Sequence, residues 1–164
     1  MASFSFNRAD PSKILDALAR DLSPEQVVSL PLHCDAANLE SARGPWFLLS
    51  QVLSQPAVYT AFGIDSIPKN VEFESARGLE VIGSLANLLR RGGVHREFVR
   101  DNAAALSIAQ DFLDGFFLQN YGSAEAYTCH TAWCDWFCGE GILDETLLLR
   151  HGDEWWLLAV TGMD

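Results

Sequence analysis

Residues 143–161 read LDETLLLRHGDEWWLLAVT, and this stretch decides the fold class. Residues 143–150 and 155–161 are two apolar runs of strand length, and the tripeptide His151-Gly152-Asp153 between them is typical of a tight turn. The pattern predicts an antiparallel hairpin. Residues 127–137 are rich in aromatic and threonine side chains, so we expect them to add a third strand before it.

The first 122 residues follow helical patterns instead. Asp10-Pro11 is a helix start followed by an apolar stripe to Leu22, and Ser23-Pro24-Glu25-Gln26 is a capping box that predicts a short helix stopped by Pro31. Residues 46–53 predict a further short helix. Two long helices are expected at 70–91 and 94–121, where apolar side chains recur every three or four positions. A short glycine link joins these two helices, so they should pack antiparallel.

Together these patterns predict an α+β fold. A mainly helical N-terminal body (1–122), with several short and two long helices, would pack on a C-terminal three-stranded antiparallel meander (123–164). With 164 residues and 49% hydrophobic content, the chain has the size of a single domain spanning 1–164. The helices would cover one face of the sheet and leave the other face outermost.

The charge of the chain restricts its partners. The formal net charge is −11, which argues against nucleic acid and against an anionic membrane surface. Residues 1–122 carry 10 basic and 14 acidic side chains, whereas residues 123–164 carry one basic and eight acidic side chains. An electrostatic partner should therefore be basic, although acidity can also serve only to keep a protein in solution.

The N-terminus does not resemble a secretory signal, and no apolar run approaches the roughly 18 residues of a membrane span. We therefore expect a cytoplasmic protein. In that compartment the four cysteines should be reduced thiols that serve mainly in packing.

The C-terminal part also holds four of the five tryptophans. Trp155 and Trp156 are adjacent in a predicted strand, so their rings should face opposite ways, with one in the core and one on the outer face. An outward ring beside carboxylates would suit a protein interface, where tryptophan is enriched among the residues that dominate binding. Alternatively, the helices and a loop would cover both rings. The predicted partner-binding residues are Trp133, Asp135, Trp136, Asp144, Glu145, Asp153, Glu154, Trp155 and Trp156.

A group of thiols and imidazoles in the same region has the residue types that zinc accepts. Its members are Cys129, His130, Cys134, Cys138 and His151. There is no C-x2-C pair, and a straight strand would separate His130 from Cys134 by roughly 13 Å. We expect no metal and no cofactor.

Motifs for catalysis are missing from the sequence. It contains no G-x-S-x-G elbow, no phosphate-binding loop and no dinucleotide fingerprint after a strand. A dyad of His151 with Cys129 or Cys134 is conceivable, but its acidic surroundings would not activate a thiol. Asp144 and Glu145 should point to opposite faces of a strand and cannot act on one bond. We therefore predict no catalytic residues.

The favoured function is that of a small acidic cytosolic protein-binding domain. It would act as an inhibitor, or as an immunity- or antitoxin-like neutraliser, of a basic protein partner. One alternative is a small-molecule-binding or enzymatic α+β domain with a pocket between helices and sheet. Another is a homo-oligomeric structural protein whose outer aromatic face is the subunit interface.

Overall fold

A computed structural model describes residues 9–35, 45–67, 71–90, 99, 101–139 and 143–162. Within these residues, five strands form one antiparallel sheet in the order β1-β5-β4-β3-β2. The strands are β1 (Val27–His33), β2 (Glu74–Arg77), β3 (Glu125–Cys129), β4 (Leu143–His151) and β5 (Glu154–Gly162). The α-helices of the same residues are α1 (Ser12–Leu18), α2 (Pro45–Leu53), α3 (Pro56–Phe62), α4 (Glu80–Arg90) and α5 (Asn102–Phe116). The α+β class is therefore confirmed.

The predicted hairpin is the centre of the sheet. Strands β4 and β5 pair in register with Leu148 opposite Leu157, and Gly152 turns the chain at a φ of 62°. This left-handed conformation favours glycine, which has no Cβ to clash with the backbone. The three-stranded meander is only partly right: β3, β4 and β5 are neighbours as predicted, but β3 ends at Cys129 and two further strands flank them.

One flanking strand, β1, replaces most of a predicted helix. The capping box does form, since Gln26 accepts a hydrogen bond from the Ser23 backbone N–H at 2.9 Å. Only a 3₁₀ turn over Pro24–Gln26 follows it, however, and the chain then pairs with β5. Pro31 lies within this edge strand, where a missing N–H donor is tolerated because one side of the strand needs no partner.

The two long helices are shorter than predicted. The first part of the predicted helix at 70–91 is wrong, because Glu74–Arg77 pairs with β3 and Gly78 then turns the chain at a φ of 61°. Asn70, Gly92 and Gly93 lie outside the described residues, as does the first part of the helix predicted at 94–121. Helix α5 ends at Phe116. No helix in the described ranges is long and apolar enough to cross a membrane.

Both faces of the sheet are covered, so the expectation of an open outer face is wrong and the alternative, in which helices and a loop cover both tryptophan rings, is the one found. Helices α1, α4 and α5 pack on the face that carries Trp156, whose ring centroid lies 4.5 Å from that of Phe112. Helices α2 and α3 and the loop after β3 pack on the face that carries Trp155, which stacks on Tyr127 at 6.0 Å. The adjacent rings do face opposite ways, but each one lies in a core.

Candidate functional site

The structure does not bring the predicted partner-binding side chains together on one surface. Asp135 is exposed, and Trp136, Asp153 and Glu154 are half-buried. The remaining five are buried: Trp133, Asp144, Glu145, Trp155 and Trp156. The expectation that Trp155 or Trp156 supplies an exposed anchor is therefore wrong, because described helices or loop residues lie over both faces of the sheet.

Strand β4 also separates the predicted carboxylates. Asp144 and Glu145 lie at its beginning, whereas Asp153 and Glu154 follow its end in the hairpin turn and in β5. Glu145 and His151 are six residue steps apart along the extended strand, which corresponds to about 20 Å. A partner that contacts one pair would therefore meet a different region of the surface from a partner that contacts the other.

Asp144 stabilises the loop after β3. Its carboxylate accepts hydrogen bonds from the Thr161 hydroxyl at 2.6 Å and from the Gly139 backbone N–H at 3.1 Å. The indole N–H of Trp133 in the same loop donates to the Thr146 hydroxyl at 2.8 Å. These hydrogen bonds join the loop to buried polar groups of the sheet, so they fix its position. The loop can therefore form one wall of a cavity.

Glu145 points to the opposite face of β4 and contacts His130, the first residue after β3. The imidazole Nδ1 forms a hydrogen bond with the Glu145 carboxylate, and Nε2 lies 3.8 Å from a carboxylate oxygen of Glu74 in β2. The side chain of Glu145 is 8% exposed, that of His130 is 37% exposed and that of Glu74 is 81% exposed. The imidazole thus links a buried carboxylate to an exposed one.

His130 lines two cavities of about 250 and 530 Å³, and a third cavity of about 680 Å³, which His130 does not line, shares residues with the second. Glu74, Thr128 and His130 line both of the smaller two, and Glu72 and Thr131 line both of the larger two. We call the combined feature the His130 groove. The residues that give it its chemical character are Trp46, Glu72, Glu74, His130, Asp135 and Glu145.

The His130 groove is acidic and has an aromatic rim. Glu72, Glu74 and Asp135 are exposed there, and Trp46 is 39% exposed. Among the described residues that line the three cavities there is no lysine or arginine. Carboxylates beside an aromatic face suit a cation, which gains both ionic attraction and contact with the π-system.

The thiols and imidazoles weighed as metal ligands do not converge. In the described part of the chain, no group of three or more histidine, cysteine, aspartate or glutamate side chains is arranged to hold a metal ion. His151 lies at the far end of β4, where its Nδ1 is 3.1 Å from the carbonyl oxygen of Phe116. Burial raises the pKa of the Cys134 thiol, which disfavours the reactive thiolate.

Sequence reasoning missed Trp46, Glu72 and Glu74 as site residues and considered His130 only as a possible zinc ligand. One signal was present, since Glu72 and Glu74 alternate with apolar residues and would share one face of an extended chain. Because a helix was expected at 70–91, this extended-chain pattern was not considered. Trp46 gave no signal, because it lies far in sequence from the other tryptophans.

Comparisons of the chain with protein-family models, curated proteins and solved structures found no match. The chemistry of the His130 groove is therefore the basis on which a function can be assigned.

Proposed function

We propose that this protein acts in the cytoplasm as a binding protein for a basic protein partner, which it contacts through the His130 groove. In this role it would be an inhibitor, or an immunity- or antitoxin-like neutraliser, of that partner. The observation that carries the proposal is the lining of the groove: Glu72, Glu74 and Asp135 are exposed around it, and the rim carries Trp46.

An arginine or lysine side chain of the partner would complement this lining. A guanidinium group can bind a carboxylate through two parallel hydrogen bonds and can also stack on an indole. At a surface, a unit charge about 4 Å from an opposite charge gains about 1 to 4 kcal/mol before desolvation. The net charge of −11 adds a long-range attraction that would increase the association rate.

A small cationic ligand or substrate is the second candidate. The observation that favours it is the imidazole of His130, which a buried carboxylate holds beside the cavity of about 250 Å³. A positioned carboxylate–imidazole pair is an arrangement that enzymes use for proton transfer. The homo-oligomer alternative has no comparable support, because it required an outward aromatic face and both faces of the sheet are covered by described residues.

Charge reversal in the groove tests the proposal. The probe is a fluorescein-labelled hexa-arginine peptide, and its binding is measured by fluorescence anisotropy at low salt. We expect the double variant Glu72→Lys/Glu74→Lys to weaken binding at least about tenfold, because four units of charge change at the site. The matched control is Asp16→Lys/Glu25→Lys, which alters the net charge equally at two exposed positions that do not line the groove.

The control should weaken binding by only about twofold, since distant surface charges are screened. An equal loss of affinity in the two double variants would mean that net charge alone attracts the peptide. That result would contradict binding in the groove. Unlabelled arginine amide separates the two candidates. If the ligand is a protein, the hexa-arginine peptide should bind much more tightly than arginine amide. If each arginine of the peptide binds no more tightly than arginine amide, a small-molecule site is favoured.

A further inference from the structure

The position of His130 makes its charge state part of the groove. The ring lines both smaller cavities, and its two nitrogen atoms face two different carboxylates, Glu145 and Glu74. An imidazole ring can exist in a neutral and in a positively charged form. A change from one form to the other alters the number of positive charges inside a groove that we assign to a cationic ligand.

We propose that protonation of His130 weakens the binding of a cationic ligand in the groove, so that acidification favours release of the ligand. This inference rests on the proposed function. The protonated ring carries an N–H on both nitrogen atoms, so Nε2–H can pair with Glu74 while Nδ1–H remains bonded to Glu145. Glu74 would then be occupied by an internal cation and less available to the ligand.

The described groups that face the ring support this competition. Glu145 approaches from β4 and Glu74 from β2, while Glu72 lies further along the groove. The residues that α4 and α2 contribute to the two cavities are uncharged: Ser84, Asn87 and Leu88 from α4, and Trp46 and Leu49 from α2. An imidazolium and a bound cation would thus share the same carboxylates.

Thermodynamic linkage gives the sign of the effect. A ligand that binds the neutral-imidazole form more tightly must lower the proton affinity of His130. Protonation of His130 must then lower the affinity for the ligand by the same factor. A purely structural role for His130, in which it only satisfies buried Glu145, would give no such coupling. The two roles therefore differ in the pH dependence of binding.

The experiment measures the dissociation constant of labelled hexa-arginine at pH 7.5 and pH 5.5 at constant ionic strength. The peptide for this experiment is N-acetylated and carries a dye that does not ionise between these pH values, and arginine keeps its charge, so the change must come from the protein. We expect about fivefold weaker binding at pH 5.5, as one additional surface charge predicts. His130→Gln should bring the ratio of the two constants close to one, whatever its absolute affinity.

Two further variants complete the test. His33→Gln removes an exposed imidazole from β1, at the opposite edge of the sheet, and should retain the wild-type ratio. Glu74→Gln alters an exposed side chain that does not support the core, so it addresses the same coupling if His130→Gln folds poorly. It should also lower the ratio toward one. Far-UV circular dichroism at both pH values verifies that each variant is folded.

The outcomes separate this inference from the proposed function. Absence of peptide binding at either pH would overturn both. Binding without pH dependence in the wild type, or pH dependence that survives in both His130→Gln and Glu74→Gln, would overturn the switch alone and leave the basic-partner site in place.

Discussion

Truncating Trp155 or Trp156 to alanine tests whether both faces of the sheet are covered. We expect each substitution to lower the free energy of unfolding by about 3 to 5 kcal/mol, the usual range for removing a buried aromatic side chain. The expectation follows from their positions, since the two rings are buried in separate clusters on opposite faces. A sheet with one open face would give one large loss and one small loss.

The contacts of each ring indicate the size of the loss. A fully buried indole removes about 200 Å² from water, which at about 25 cal/mol/Å² is an upper bound near 5 kcal/mol. Trp156 also donates a hydrogen bond to the Ser29 hydroxyl at 2.9 Å, which contributes about 1 kcal/mol. Trp155 stacks on Tyr127 and lies under the Arg150 guanidinium, 5.5 Å from its ring centroid. The two losses should therefore be similar.

Urea denaturation, followed by far-UV circular dichroism, measures these losses. Trp46→Ala is the control, because this ring is partly exposed and its removal should cost less than either buried ring. If an alanine variant does not fold, the phenylalanine variants at the same positions should show smaller losses in both cases. A loss below about 1 kcal/mol at Trp155 or Trp156 would refute the covered-sheet arrangement on that face.

Two other predictions concern thiols and a phenol. Cys138 is exposed and Cys129 is buried, so a colorimetric disulfide reagent should modify Cys138 in the native protein and reach Cys129 only on unfolding; early modification of Cys129 in peptide mass spectra would contradict its position. Burial and the Asp114 carboxylate raise the pKa of Tyr121 far above its ordinary value. In the unfolded chain this phenol ionises near pH 10, so the free energy of unfolding should fall as the pH rises above about 10, and Tyr121→Phe should reduce that fall in urea titrations; an equal fall in the variant would contradict the assignment.

The central hairpin was predictable because its signals are local. Two apolar runs flank a glycine turn, and no other part of the chain is needed to recognise them. The flanking strands β1 and β2 were not predictable in this way, since they exist only by pairing with β5 and β3. Their local sequences carried helical signals, a capping box at Ser23 and helical spacing after Asn70, and pairing with the sheet prevailed over those signals.

The coverage of both sheet faces had a sequence signal that the prediction did not use. A strand with one solvated face alternates apolar and polar residues, whereas residues 147–149 and 155–160 are continuously apolar. Such runs are typical of strands that are buried on both sides. Read in this way, the pattern would have indicated that both Trp155 and Trp156 lie in cores.

The groove could not be predicted from the sequence, because its tryptophan, glutamate and histidine side chains come from four separate segments and α4 adds uncharged ones. Trp46 comes from α2, Glu72 and Glu74 precede or begin β2, His130 follows β3, and Glu145 belongs to β4. No short motif links these positions. They become neighbours only when the non-consecutive strands pair, which is a property of the complete fold.

The beginning of β4 connects the fold to this groove. Asp144 and Glu145 are adjacent buried carboxylates in an otherwise mostly apolar strand, and burying such groups is unfavourable unless each receives hydrogen bonds. Because they point to opposite faces, Asp144 holds the loop after β3 on one side of the sheet while Glu145 holds His130 on the other. The hydrogen bonds of these two buried carboxylates therefore position two parts of the groove. One is its loop wall, and the other is the imidazole whose charge we expect to control ligand binding.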